Sequence, residues 1–195
     1  FNHLKIHTQY SICEGAIKID NLKDFCKEKK IPCLGLSDTS NLCGALEFAE
    51  NISKAGTQPI IGTQIYFKFE DTTGLLPLIA LNENGYKRII ELSSRSYLEN
   101  DALSDPHLDI KELLVDTEGI SLLSGTIHGL FGKLFEKDCL DEISKLYKSL
   151  SSKFNDNFYL EIQRHGDQNE IAFEKFNLEQ SLKIKIPIIA TNEVY

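Results

Sequence analysis

Pro32-Cys33-Leu34-Gly35-Leu36-Ser37-Asp38 decides the fold. A short apolar run leads straight into a hydroxyl and a carboxylate, the pattern of a buried strand that delivers polar side chains at its C-terminal end. Working outward, Ile17 to Lys29 carries Ile19, Leu22, Phe25 and Cys26 at helical spacing, and Leu4-Lys5-Ile6-His7 before it reads as a strand. On the other side, Asn41 is placed to cap a helix with Leu42, Leu46, Ala49 and Ile52 on its apolar face, closed by Gly56. The alternation continues with strands over 59–67 and 76–81 and a helix over 85–97 marked by Ile89, Ile90, Leu92 and Ser96. A polar loop over 100–107, a strand over 119–124, a helix over 140–150, a strand over 158–163, a helix over 169–182 and a strand over 187–191 complete the reading. Strands separated by helices predict parallel β/α units around a buried sheet. Seven such units without a linker predict an α/β barrel or a strongly curved sheet.

The 195 residues, 42% apolar and 26% charged, suit a folded domain with a real core and exclude disordered, collagenous and solenoid classes. The longest apolar run, Leu75 to Leu81, is far shorter than the ~20 residues of a membrane span, so no membrane partner is expected. No basic segment followed by an apolar one opens the chain, so no signal peptide is read; Phe1 and the lack of any Met imply a trimmed start. The net charge of −8 repels nucleic-acid phosphate over most of the surface, and Lys27-Glu28-Lys29-Lys30 reads as a solvated helix end. Five cysteines with no C-x-x-C pair fit buried, reduced thiols in a cytoplasmic protein.

His7, Asp38, Gln64, Asn82, Ser124, His165 and Asn192 all fall at or just past the C-terminal end of an expected strand, the edge where β/α barrels place their ligands. Each singly reads as well as a cap of the next helix. His7 and His165 with Glu14, Asp38 and Glu193 could make a metal centre, but no H-x-H is present. Lys5, two residues before His7, shares its face of the strand and is a poor neighbour for a cation. His107 and His128 sit in polar loop settings. No nucleophile elbow, Walker or Rossmann glycine pattern occurs.

His3-Leu4-Lys5-Ile6-His7-Thr8-Gln9-Tyr10-Ser11 with Glu14-Gly15, Leu36 to Gly44, Pro59 to Gln64, Leu81 to Tyr86, Tyr159 to Gly166 and Ala190 to Tyr195 follow one another in family order. Together they resemble the PHP (polymerase and histidinol phosphatase) domain at the N-terminus of the alpha subunit of bacterial replicative DNA polymerase III. The resemblance implies a distorted seven-stranded β/α barrel. Residues 1–195 would be most of that single domain, stopping short of its natural end and of the polymerase core.

Metal-bearing members hold a trinuclear, phosphoester-hydrolysing centre on nine side chains. Carried over position by position, the set here is Lys5, His7, Glu14, Thr39, Gln64, Leu75, His165, Glu193 and Tyr195, of which only His7 and His165 keep the family residue. The resemblance therefore implies a vestigial site, with no metal, no cofactor and no catalytic residue in this chain. The Lys5 ammonium is expected to take part of the missing cation's space and to pair with Glu14, Glu193 or Asp38. The implied role is a scaffold that supports the polymerase core and docks the proofreading exonuclease subunit in the bacterial cytoplasm. DNA and Mg would be met by the parent polymerase beyond this chain. The alternative is a metal-dependent PHP phosphoesterase or 3'-5' proofreading nuclease with a reduced metal set.

Overall fold

The computed structural model describes residues 1–101 and 103–195; Ala102, inside the loop expected over 100–107, lies outside the described residues. In chain order the elements are β1 (Lys5–Ile6), α1 (Ile19–Lys29), β2 (Cys33–Thr39), α2 (Ala45–Lys54), β3 (Gln58–Phe69) and β4 (Thr72–Ala80). They are followed by α3 (Glu83–Leu98), β5 (Leu108–Asp109), β6 (Ile120–Leu123), α4 (Leu130–Glu136) and α5 (Leu140–Phe154). β7 (Phe158–Ile162), α6 (Glu170–Ile184), β8 (Ile188–Ala190) and β9 (Glu193–Val194) complete the chain. The chain divides into two compact units, Phe1–Gln64 with Thr191–Tyr195, and Ile65–Ala190.

In the first unit the strand order is β9-β1-β2-β3, all parallel, with Lys5 opposite Glu193, Ile6 opposite Leu36 and Thr39 opposite Gln64. Helix α1 turns Ile19, Leu22 and Cys26 inward. It ends where Lys30 enters the left-handed region and returns its N–H to the Cys26 carbonyl. These side chains pack with Ile6, Leu34, Leu36, Ala45, Phe48 and Ile52 into one core. Two details differ from the sequence reading. Helix α2 starts after Gly44, not at Asn41, so it buries Phe48 in place of Leu46, which is 72% exposed. Asn41 instead ties the preceding turn, donating to the Tyr10 and Thr39 carbonyls at 2.9 Å each. Of the five thiols only Cys26 is buried, and burial pushes its pKa up; Cys13 and Cys43 are exposed.

The second unit orders its strands β3-β4-β6-β7-β8, with β5 beside β3. Here the expectation of uniformly parallel strands fails at β4. Only Glu70 and Asp71 separate it from its neighbour β3, too short a connection for a parallel crossover, and it pairs antiparallel with β6 through Leu78 and Leu122. β6, β7 and β8 then run parallel. The described residues hold nine strand segments where seven were expected; the two-residue β5 and β9 are too short to leave a periodic signal. The core is built from Ile65, Phe67, Leu76, Leu78, Ile120, Leu122, Phe158 and Leu160 of the sheet, covered by Ile89 and Leu92 of α3 and Ile143 and Tyr147 of α5.

Gly35 lets β2 approach β1 closely. A Cβ there would lie 2.5 Å from the Leu4 carbonyl oxygen and 2.6 Å from Leu4 Cα, and the Gly35 N–H already bonds the His3 carbonyl at 2.7 Å. Neither contact is with a side chain that could swing away. Gly35→Ala is therefore expected to cost about 2–3 kcal/mol of folding stability, read as a lower urea midpoint at unchanged slope.

Candidate functional site: a buried acid hub

The first unit brings seven of the nine expected positions to one place, at the C-terminal ends of β1 and β2, on β3 and on the last five residues. Lys5 and Glu193 are register partners across β1 and β9, so their side chains emerge side by side. Lys5 Nζ lies 3.1 Å from Glu193 Oε1, with the two side chains 1% and 15% exposed. Of the three partners anticipated for Lys5, Glu193 is therefore the one it meets. The same oxygen accepts from His7 Nε2 at 3.1 Å and from the Gln64 side-chain amide. Tyr195 stacks on the His7 ring, centroids 4.4 Å apart and planes 17° from parallel, and the His7 N–H donates to the Val194 carbonyl at 2.8 Å. Burial alone would push the Glu193 carboxyl up. The His7 hydrogen bond, the Lys5 charge and the Gln64 amide overcome it and hold the pKa at about 2.

A second acid, Asp38, is saturated by neutral donors. Its Oδ1 accepts from Thr8 N–H at 2.6 Å and Ser11 Oγ at 2.8 Å, and its Oδ2 from Thr8 Oγ1 at 2.8 Å. Ser11 Oγ also accepts the Thr39 N–H at 3.1 Å and lies 3.2 Å from His7 Nδ1, linking the two acids through the imidazole. Thr39 Oγ1 donates to Glu14 at 2.5 Å, and that carboxylate stands 3.9 Å from His7 Nδ1 at the solvent side. Thr8 and Ser11 were not read as site residues. Only their place one and four residues after His7 could have drawn notice, since hydroxyls carry no ligand signature of their own.

The remaining two positions belong to the second unit, described on its own. Leu75 is half-buried within β4. His165 is exposed beyond β7, where its Nε2 donates to Gln163 Oε1 at 3.0 Å, and Gln163 in turn donates to Glu161 at 2.8 Å. The backbone N–H groups of His165 and Gly166 both reach the Glu170 carboxylate at 2.9 Å. The row of polar strand ends is less regular than expected. Gln64 sits mid-strand in β3, and Asn82 follows the antiparallel β4 and caps α3 by accepting from Gly85 N–H at 2.9 Å. Ser124 Oγ accepts the Glu161 N–H at 2.9 Å, and Asn192 is exposed. His128 is 74% exposed and meets Asp167 at 3.1 Å.

The first-unit cluster does not fit a multinuclear metal centre. An ammonium has no lone pair to give a cation, and Lys5 Nζ already lies against Glu193, the carboxylate a cation would need. Gln64 turns an N–H toward that oxygen, and Thr39 offers only a neutral hydroxyl. Among the described residues no group of three or more His, Cys, Asp or Glu side chains is placed to hold a metal ion.

The PHP domain family matches residues 3–165, and the chain belongs to that family. Relatives named DNA polymerase III subunit alpha match all of it: the Caulobacter vibrioides protein is 36% identical over 208 residues and the Rickettsia felis protein 33% over 195. The chain spans only 18% and 16% of the length of those two relatives. A solved structure from Bifidobacterium adolescentis, described as that of a metal-dependent phosphoesterase, superposes over 99% of this chain and 87% of its own with a TM-score of 0.65 at 12% identity. That likeness supports the α/β fold expected of the family. No helix among the described residues is long and apolar enough to cross a membrane.

Two outcomes test the hub. Lys5→Ala strands a buried carboxylate and should cost ~3–5 kcal/mol, against about 0.5 kcal/mol or less for the exposed Lys29→Ala. In acid, a carboxyl held at about 2 against an ordinary 4.5 contributes stability that is complete above pH 4.5 and lost as the pH falls toward 2, on the order of 3 kcal/mol in all. Urea midpoints measured from pH 5 downward should fall less steeply in Glu193→Gln than in the wild type.

Proposed function

We propose that the chain is the N-terminal PHP domain of a bacterial DNA polymerase III alpha subunit and acts there as a metal-free scaffold. It supports the polymerase core and docks the proofreading exonuclease subunit in the cytoplasm. Residues 1–195 make up most of the domain. Template-directed synthesis, with its Mg and its DNA contacts, belongs to the rest of the polypeptide.

The observation that carries the scaffold reading is the buried Lys5–Glu193 pair at 3.1 Å, a fixed positive charge among the positions where the family resemblance implies metal ligands. Similarity along the whole of this chain to part of proteins named DNA polymerase III subunit alpha supports the assignment to a larger polymerase chain. The net charge of −8 favours DNA contacts made elsewhere, because phosphate binding draws on clustered Lys and Arg.

The test uses the intact polymerase polypeptide. Mass spectrometry after exhaustive dialysis should find no stoichiometric zinc, manganese or iron, and a chelator should leave nucleotide incorporation with added Mg intact. Neither phosphatase nor 3'-5' nuclease activity should accompany the chain alone, while the purified exonuclease subunit should co-elute with it. One equivalent of metal together with chelator-sensitive hydrolysis lost in His7→Asn would overturn the scaffold reading.

A further inference from the structure

Helix α6 is built inside out. Its buried residues are Glu170, Phe173, Asn177 and Gln180, three of them polar. Two of the polar ones are engaged: Asn177 accepts from the Tyr147 hydroxyl at 3.0 Å, and Glu170 takes the His165 and Gly166 N–H groups, whereas the buried Gln180 Oε1 has no hydrogen-bond partner among the described residues. The solvent side carries Ile171, Leu178 and Leu182, spaced seven and four residues apart and therefore in one stripe, 85%, 41% and 85% exposed. Lys175 is the one charged residue within that stripe.

The features around the stripe extend it into a surface. At its N-terminal end a cavity of about 400 Å³ is lined by Arg164, Gly166, Glu170, Ile171 and Glu174. Arg164 pairs with Glu174 through two bonds of 2.9 and 2.7 Å, so these two charges offset each other. Shortly after its C-terminal end comes β8, the last strand in the sheet order, with Ile188 and Ala190 exposed. Aligned apolar side chains on one helix face mark a contact surface, whereas exposed leucines scattered singly do not.

We infer that this face is the seat of the rest of the same polypeptide: an apolar part of the polymerase body packs on Ile171, Leu178 and Leu182. The inference rests on the alpha-subunit reading above and gives it a surface. The relatives that match the whole chain carry more than four-fifths of their length outside it, so a large covalently attached body is available at high effective concentration. The chemistry of the face agrees. Its aliphatic stripe, with Lys175 as its one charge, and the paired Arg164–Glu174 suit a protein contact.

Ile171→Cys and Leu182→Cys, made separately in the full-length polymerase chain, test this by the rate of thiol labelling at each site, resolved by peptide mass spectrometry. The reference is the same variant unfolded in urea, and Leu98→Cys on α3, 81% exposed in the domain, is a second comparison site. Both stripe positions should label about ten-fold or more slowly than when unfolded, at every protein concentration. Labelling near the unfolded rate would overturn the inference. So would protection that grows only with concentration, which would mean a second copy, or only on adding the exonuclease subunit, which would make that the occupant. Nucleotide incorporation by the same samples reads the alpha-subunit assignment separately, and its absence would sink that assignment whatever the labelling shows.

Discussion

One carboxylate oxygen organises the first unit. Glu193 Oε1 receives a lysine ammonium, an imidazole and a carboxamide, none of which is fully at the surface. Taking charge out of water costs several kcal/mol per ion, and the cost is met only when partners and hydrogen bonds are both in place. The acid would be stranded without these three groups, and they would lose the acceptor they share. Because Glu193 lies on β9 and its partners lie on β1, after β1 and on β3, the same contact fixes the C-terminal residues to the parallel strands of their unit. Val194 packs against the core behind it and Tyr195 covers the imidazole face, so the apolar and polar halves of this short segment act together.

The side chains around the hub form a consistent set. A polynuclear metal site is a cluster of negative and lone-pair donors held together by cations, and removing the cations would leave acids repelling one another. Here the balance is restored inside the protein. Lys5 supplies a positive charge, Gln64 supplies an N–H donor, and Thr39 supplies a hydroxyl that donates to Glu14. Asp38 shows the neutral version of the same solution, with a backbone amide and two hydroxyls saturating it. The two acids differ in what they tolerate. Asp38 is held by donors that do not titrate, whereas Glu193 depends on the charge of Lys5 as well as on hydrogen bonds.

The elements with long, clean periodicity were legible from the residues: β2, β3, β7, α1, α3 and α5 lie within a few residues of where the apolar spacing puts them. What escaped the reading escaped for local reasons. Asn41 has the chemistry of a helix cap, yet its side chain is drawn to two carbonyls of the preceding turn, and the helix starts at Ala45 with a rotated apolar face. The direction of β4 is written only in the length of the Glu70–Asp71 connection, since a buried apolar run looks the same in either direction. Of the seven positions of the first-unit site, Thr39 and Tyr195 were legible only through family resemblance, while Lys5, His7, Glu14, Gln64 and Glu193 already drew notice from strand ends and side-chain chemistry. Spacing along the chain cannot show that residues 5, 64 and 193 share one oxygen atom. Thr8 and Ser11 had no signal beyond their nearness to His7, because hydroxyls satisfy carboxylates wherever a turn brings them close.

Helix α6 carries the point furthest, because its sequence has apolar residues on both sides and almost no directional preference. What settles its orientation is hydrogen bonding. Tyr147, fully buried from α5, brings a hydroxyl that must find a partner, and burial pushes its pKa up strongly. Asn177 meets that hydroxyl at 3.0 Å, and Glu170 closes the turn after β7 through two backbone N–H groups. Turning Ile171, Leu178 and Leu182 inward would bury more hydrocarbon but would strand the Tyr147 hydroxyl and the turn amides. An unsatisfied buried polar group costs about 1–3 kcal/mol, comparable to the ~1.5–3 kcal/mol gained by burying one large aliphatic side chain. With a further protein surface available to cover the aliphatic stripe, both requirements are met at once: Asn177 and Glu170 find their partners within the domain and the apolar face finds its own outside it.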